Sequence, residues 1–238
     1  MNRFAAILLL LLALATCVST AAGATEVKAL GFSPEGRYFA FEQHGADRAG
    51  TYSMTIAMEV ADNRPVKGGS ISYSDDNRAR ARKASTTTRR LLRRLRISAR
   101  DYMTVSLRGL DVEPFEEASH KSLALPSSWF GPESWLVLHQ FKIAARCQNT
   151  KQSPVGFGLT LERKGAPAIQ LSHDVSIPSA RGCPTHYRVV EAHARRLKDG
   201  PVALAVIVQN FAPGFDAKNR NFIAVTARIP AATLARVQ

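Results

Sequence analysis

The sequence predicts a mainly β fold of antiparallel hairpins, in sandwich-like or blade-like sheets, with one amphipathic basic helix near residues 84–97. Three observations predict it. Apolar residues alternate with polar ones in many short segments that are separated by turn residues rather than helices. Residues 202–208 are continuously apolar, which is typical of a strand buried on both faces. Only residues 84–95 place apolar side chains at helical spacing.

The N-terminal segment has the pattern of a signal peptide. A positive start precedes an apolar run at residues 4–15, and the small residues 22–24 offer a cleavage site. The run is shorter than the roughly 20 residues that a membrane-spanning helix needs, so an uncleaved anchor is the weaker alternative. We therefore expect residues 1–24 to be removed. Residues 25–238 would form a single β-rich exported domain, periplasmic or secreted, with no transmembrane span.

Two cysteines, Cys147 and Cys183, remain in the mature chain, because Cys17 leaves with the signal peptide. An even number of cysteines in an exported protein predicts a disulfide, and only one pairing is possible. The chain has no Cys-x-x-Cys motif, so the bond would be structural rather than catalytic. The alternative is a pair of free, buried thiols.

The positive charge is concentrated in one segment. The whole chain has a formal net charge of +13, and residues 78–100 contain ten Lys and Arg residues with no acidic one. An excess of basic residues points to anionic partners such as lipid or a polyanion. Because the excess is local, the rest of the mature chain is close to neutral. We interpret the segment as a basic linker and helix.

The helical part of this segment is amphipathic. Ser85 or Thr86 would cap its start. Its apolar face holds Ala84, Thr88, Leu91, Leu92 and Leu95. A second face holds four possible anion-binding residues, which are Arg89, Arg93, Arg96 and Arg100. Such a helix can lie on anionic lipid or bind phosphate. The alternative is a helix docked on the core with a solvated arginine face.

The strands follow in order along the chain. Ser33-Pro34-Glu35-Gly36 forms a turn, because Pro presets φ and Gly tolerates a positive φ. Phe39 and Phe41 then face one side of a strand. Further strands are predicted at 52–60, 65–73, 101–107, 135–146, 157–161, 169–177, 187–194, 202–208 and 222–229, with residues 111–131 irregular. Residues 27–61 and 190–230 share one order of strands and turns, which resembles propeller blades.

No sequence motif identifies a catalytic, metal or cofactor site. The six histidines lack zinc-ligand spacing, and nucleophile-elbow and phosphate-binding motifs are absent. His173 and Asp174 are adjacent in a strand, so their side chains should face opposite ways. An enzyme would need residues brought together by folding, and the candidates are Glu116, His120 and His139. We expect no catalytic residues, metal or cofactor.

Glu113, Glu116 and Glu117 lie near His120 and could do acid–base work or hold a cation, and the alternative is a solvated acidic loop or a partner for the basic helix. Phe215 could form a recognition tip.

Three segments resemble the DUF2259 family of bacterial predicted secreted proteins. They are the segment from Gly31 to Glu42, the segment from Ile177 to Pro184, and residues 211–229 with Pro213-Gly214-Phe215. The resemblance spans nearly the whole mature chain. It implies export and a shared fold, and it supplies no catalytic residues. The arginine-dense segment departs from the alanine-rich helix that we expect at that place in the family.

The favoured functional hypothesis is a non-catalytic binding or interaction module that acts in the periplasm or outside the cell. Its partner would be an unknown protein or envelope component. The alternative is a basic surface module that binds anionic lipid or polyanion through residues 78–100. A third hypothesis is an uncharacterised hydrolase-type enzyme.

Overall fold

A computed structural model describes residues 26–47, 50–74, 78–106, 119–145, 147, 153–212 and 221–234. These residues form twelve strands in three four-stranded antiparallel sheets, together with three α-helices and one 3-10 turn. The predicted mainly β fold is therefore confirmed. The predicted signal peptide, the acidic residues 113–117 and the predicted recognition tip at Phe215 lie outside the described residues.

Sheet I is a simple meander of the first four strands in the order β1-β2-β3-β4. Its strands are β1 (Glu26–Phe32), β2 (Tyr38–Asp47), β3 (Gly50–Glu59) and β4 (Arg64–Ser74). Sheet III repeats this meander as β6-β7-β8-β9. Its strands are β6 (Ser119–Leu125), β7 (Ser134–Lys142), β8 (Val155–Arg163) and β9 (Ala166–His173).

Sheet II has the order β12-β11-β10-β5 and combines the C-terminal strands with one early strand. Its members are β5 (Met103–Ser106), β10 (His186–Arg196), β11 (Val202–Phe211) and β12 (Asn221–Ile229). β1-β2-β3 and β10-β11-β12 are both three-strand meanders. The similar strand order predicted for residues 27–61 and 190–230 therefore corresponds to matching parts of two sheets.

Sheet II lies between the other two sheets and has an apolar core on each face. On β11, Ala203, Ala205 and Ile207 pack in the core shared with sheet I, while Leu204 and Val206 pack in the core shared with sheet III. Every residue from 202 to 210 is buried, as the continuous apolar run predicts. The architecture is a three-layer β sandwich with β11 in the middle layer.

The turn Ser33-Pro34-Glu35-Gly36 joins β1 to β2 as predicted. The Gly36 N–H donates to the Ser33 carbonyl oxygen at 2.9 Å, and Gly36 has a φ of 62°. The buried Ser33 Oγ accepts two more backbone N–H groups, from Arg37 and Tyr38. The turn thus satisfies its own buried polar groups, which explains why a polar serine sits in the core.

Helix α1 (Arg78–Arg94) covers the outer face of sheet I. It starts six residues before the predicted helix near 84–97, so both predicted caps, Ser85 and Thr86, are internal. The Thr86 hydroxyl donates to the Arg82 carbonyl oxygen instead of capping the helix. The helix ends in a Schellman-type turn, in which the Ile97 N–H donates to the Leu92 carbonyl and Arg96 adopts a φ of 56°. This turn explains why the helix stops before residue 97.

The prediction that residues 111–131 are irregular is wrong for the second half of this segment. It contains strand β6 and the short helix α2 (Ser127–Phe130). A register shift between Lys121 and Leu123 breaks the alternation that would reveal the strand. Another four-residue helix, α3 (Ala231–Leu234), follows β12.

Shortening a side chain on either face of β11 should destabilise the whole molecule. We expect Leu204→Ala and Ile207→Ala each to lower the free energy of unfolding by about 2–5 kcal/mol, because each leaves a cavity in a different core. Urea unfolding followed by fluorescence and circular dichroism measures this loss. Val175→Ala, at a side chain that is 87% exposed, should change little. Separate transitions for the two cores would contradict their dependence on one strand.

Candidate binding groove

A groove of about 460 Å³ runs along the outer edge of β12, where sheet I faces β9 of sheet III. Its lining is mainly apolar. The apolar lining residues are Phe41, Met54, Ile56, Met58, Pro65, Pro178, Phe222, Ile223, Ala224 and Val225. Its polar lining residues are Gln43, Asn63, Ser172, Arg181, Asn210 and Asn221. This size and composition are typical of a small-molecule site.

Two side-chain amides accept hydrogen bonds from backbone N–H groups at the edge of β12. The Phe222 N–H donates to Gln43 Oε1 at 2.9 Å, and the Thr226 N–H donates to Asn63 Oδ1 at 2.7 Å. The register from Asn221 to Ile229 is unbroken, so alternation directs the N–H and C=O of Ala224 away from β11 as well. Ala224 is thus the outward-facing backbone position between the two capped ones.

A second hollow of about 290 Å³ continues along the same edge, beside residues 226–230. Asn63 lines both hollows and has a φ of 49°, a conformation that Asn tolerates better than most residues. Its side chain therefore separates the groove from this neighbouring space.

One end of the groove is built around a buried ion pair. Arg181 Nη1 lies 2.7 Å from Asp174 Oδ2, and the two side chains are only 16% and 6% exposed. Asp174 Oδ2 also accepts the Phe157 N–H at 3.0 Å. The guanidinium lies 5.1 Å from the ring centroid of Phe157 and 5.9 Å from that of Tyr187. The charge of Arg181 is thus balanced within the fold.

Asn210 contributes a polar atom without a hydrogen-bond partner. Its Nδ2 donates to the Arg181 carbonyl oxygen at 2.9 Å, while its buried Oδ1 has no hydrogen-bond partner. Tyr187 pairs with Asn210 across strands β10 and β11. Burial raises the pKa of Tyr187 to about 12, although Arg181 acts in the opposite direction. The Tyr187 hydroxyl is therefore neutral at physiological pH.

Cys147 and Cys183 lie close in the chain to elements at this end of the groove. Cys147 and Cys183 are at disulfide distance, with their Cα atoms 5.8 Å apart. Cys183 follows the 3-10 turn Ser179–Arg181, which carries Arg181. The bond would tie this turn to the segment that follows β7.

The four predicted anion-binding arginines do not share one helical face. Arg89 and Arg93 are exposed on α1, but Arg96 lies past the helix end and pairs with Glu35 at 2.6 Å. Arg100 lies further along the chain, and its carbonyl oxygen accepts a bond from Arg195. Within the described residues, six exposed basic side chains of α1 have no ion pair: Arg82, Lys83, Arg89, Arg90, Arg93 and Arg94.

The proposed catalytic candidates are not assembled in the described part of the chain. Glu116 and the side chain of His120 lie outside it, and His139 Nε2 is 3.4 Å from Thr160 Oγ1. His173 stacks on Phe141 while Asp174 pairs with Arg181, so these neighbours do face opposite ways. No group of three potential metal ligands occurs among the described residues.

One Thr–His–Glu arrangement is invisible in the sequence spacing. His193 Nδ1 lies 3.0 Å from Thr104 Oγ1, and its Nε2 lies 2.8 Å from Glu191 Oε1. The order matches a nucleophile, base and orienting acid. However, the His193 ring is 97% buried and contacts the rings of Phe39 and Tyr102. The arrangement anchors β5 to β10.

The family comparison covers most of these elements. The model of the DUF2259 family, described as a predicted secreted protein, matches residues 40–228. The chain belongs to the DUF2259 family. This membership confirms the resemblance and supports export of this DUF2259 protein. No curated protein and no solved structure matches the chain. In the described residues, no helix has the length and apolarity to cross a membrane.

Breaking the cysteine pair should destabilise this DUF2259 protein. The two cysteines are 36 residues apart, so a double Cys147→Ser/Cys183→Ser variant should lose about 4 kcal/mol of unfolding free energy in the chain-entropy description. Urea unfolding of the oxidised protein and the variant measures the loss. Dithiothreitol should lower the stability of the native protein alone. Equal effects of reductant on both proteins would contradict the bond.

Acid should weaken the fold partly through His186. Burial, together with the nearby Arg188, lowers the pKa of His186 below its ordinary value of 6.5. The unfolded chain therefore binds this proton first, and stability is lost as pH falls from about 6.5 toward the lowered pKa. His186→Phe should preserve the stacking on Phe211, which has a centroid distance of 4.0 Å, and reduce this loss. Urea midpoints at pH 7.5 and 5.5 compare the two proteins, and identical pH dependence would contradict the assignment.

Proposed function

We propose that this exported protein is a non-catalytic binding module whose ligand occupies the β12 groove. The observation that carries the proposal is a mainly apolar groove of about 460 Å³ with a few polar side chains in its lining. A few convergent polar groups in an apolar hollow are what small-molecule sites use to orient a ligand.

The rigidity of the surroundings supports this proposal. Most of the groove lining comes from strands β2, β3 and β12, and Arg181 is held by an ion pair and two aromatic rings. A site on strands holds its shape before the ligand arrives, so less entropy is lost on binding. The mature protein would act as a receptor or carrier in the periplasm or outside the cell.

Filling the groove should abolish binding without unfolding the protein. Met54 is partly exposed in the groove wall, and Met54→Trp adds bulk there. We expect the neutral dye N-phenyl-1-naphthylamine to bind the native protein saturably at one site, with affinity reduced at least tenfold in the variant. Dye fluorescence titration measures this. Lys198→Trp, in the exposed β10–β11 turn, is the matched control and should bind normally. Absence of saturable binding, or normal binding by Met54→Trp, would refute the proposal.

A second function rests on the basic face of α1. Six unpaired, exposed cations on one 17-residue helix create a positive surface on the side of sheet I that is remote from sheet II. We propose it as the site for an anionic envelope component, either lipid or polyanion. Because the charges are exposed, such binding would weaken steeply with salt.

Charge-matched variants test this second function. Arg89→Gln/Arg93→Gln should reduce binding to vesicles that contain anionic phospholipid, and should reduce its salt dependence. The control Arg64→Gln/Lys164→Gln removes the same charge from side chains that pair with Glu59 and Glu133, and should bind normally. Vesicle co-sedimentation at two salt concentrations measures both. Equal binding by both double variants would refute an α1 site.

A further inference from the structure

We infer that α1 binds the headgroup layer of an anionic phospholipid bilayer through two parallel rows of cations, and that it does not insert into the acyl region. This inference rests on the second proposed function, which leaves lipid and polyanion open, and it specifies the partner and the mode of contact. It follows from how the cations of α1 are arranged, how its apolar face is buried and how its C-terminal end is held.

The six exposed basic side chains of α1 form two rows along the helix. Each row has members at i, i+7 and i+11, which lie within about 20° of one line on a helix of 3.6 residues per turn. The first row is Arg82, Arg89 and Arg93, and the second is Lys83, Arg90 and Arg94. Because the rows are one residue apart, they lie about 100° from each other around the helix axis. Each extends about 17 Å along that axis.

The apolar side of α1 is already used within the fold. Ala84, Leu91 and Leu95 are at most 9% exposed. Leu91 and Leu95 belong to a buried cluster with Ala40 and Ala57 of sheet I. Around the helix axis, this side lies nearly opposite the two rows of cations. A helix that inserts into a membrane turns its apolar face to the lipid. Helix α1 could do this only by leaving sheet I.

The C-terminal end of α1 is fastened to β1. Ile97 is buried in the same cluster, and the Ser98 N–H donates to the Phe32 carbonyl oxygen at 3.2 Å. The helix therefore stays docked when its outer surface meets a partner. No large apolar side chain is exposed in the described part of α1. Such a surface can adsorb to charged headgroups, but it has no anchor for the acyl region.

A flat layer of headgroups suits both rows better than a chain-like polyanion does. One polymer strand follows one row closely, whereas a plane of phosphates can contact two rows that are about 100° apart, because arginine and lysine side chains are long and flexible. Clusters of this size on an amphipathic helix are typical of binding to anionic lipid. Helix α1 also has no aromatic side chain on which the bases of a nucleic acid would stack.

Two double variants with matched spacing test whether both rows take part. Arg89→Gln/Arg93→Gln shortens the first row, and Arg90→Gln/Arg94→Gln removes the same charge from the second. We expect each to bind vesicles of phosphatidylglycerol and phosphatidylcholine about tenfold more weakly than the native protein, with the two losses equal within about twofold. Vesicle co-sedimentation measures these affinities, and Arg64→Gln/Lys164→Gln is again the charge-matched control.

Two further measurements on the native protein test the mode of contact. Adsorption without insertion should leave the surface pressure of a phosphatidylglycerol monolayer unchanged while the protein binds to it. Raising NaCl from about 0.1 M to about 1 M should weaken vesicle binding at least tenfold, because the charges are exposed. Soluble polyphosphate, at the phosphate concentration of the vesicles, should leave most of the protein on the vesicles.

The outcomes separate the bilayer inference from the second proposed function. If Arg89→Gln/Arg93→Gln loses binding while Arg90→Gln/Arg94→Gln does not, the bilayer inference fails and an anionic site on α1 stands. The same conclusion holds if polyphosphate removes the protein from the vesicles. A rise in surface pressure, or vesicle binding that survives high salt, contradicts contact through headgroups alone. If neither double variant differs from the control, the second proposed function itself fails.

Discussion

Strand β11 has water on neither face, and sheets I and III both rely on it to cover their apolar sides. Alanines of β11 face the aromatic side of sheet I, where Phe32 and Phe39 have centroids 4.8 Å apart. Larger residues such as Leu204 face sheet III. A fully buried Leu or Ile contributes about 1.5–3 kcal/mol relative to exposure, so one strand stabilises two interfaces. Its side-chain sizes set how closely both outer layers approach.

A central sheet flanked by two others has edges that must be satisfied, and this requirement creates the groove. One edge is β5, which has only four residues and is anchored through His193. The other is β12, where Gln43 and Asn63 reach from sheet I to its backbone. The amides fill the edge only in part, and the space left beside Ala224 is the hollow that could hold a ligand. The groove therefore results from the incomplete covering of the β12 edge.

The fold was predictable from sequence because alternation is a local signal. The double-sided burial of β11 and the position of the β1–β2 turn follow from residues that adjoin in the chain. Strand β6 was missed because a register shift interrupts its alternation of apolar and polar residues. The full length of α1 was missed because its first half, with its Arg-Ala repeats and threonines, has no apolar side chain larger than alanine to mark a face.

The groove could not be predicted, because its polar groups come from places far apart in the chain. Asn210 contacts Arg181, 29 residues away, and Gln43 contacts Phe222, 179 residues away. One sequence signal existed: Gln209 and Asn210 are polar residues that continue a buried strand without a break. Buried amides need hydrogen-bond partners, so polar residues at the end of a buried apolar run indicate specific polar contacts there.

The order of the layers along the chain has a consequence for biogenesis. Sheets I and III are synthesised first, yet the strands β10–β12 that cover them occupy residues 186–229. Neither core can close until nearly all of the polypeptide has been made, and β5 waits for a partner about 90 residues downstream. Such distant contacts slow folding. An exported chain whose cores close this late stays unfolded for longer than a chain built from local contacts.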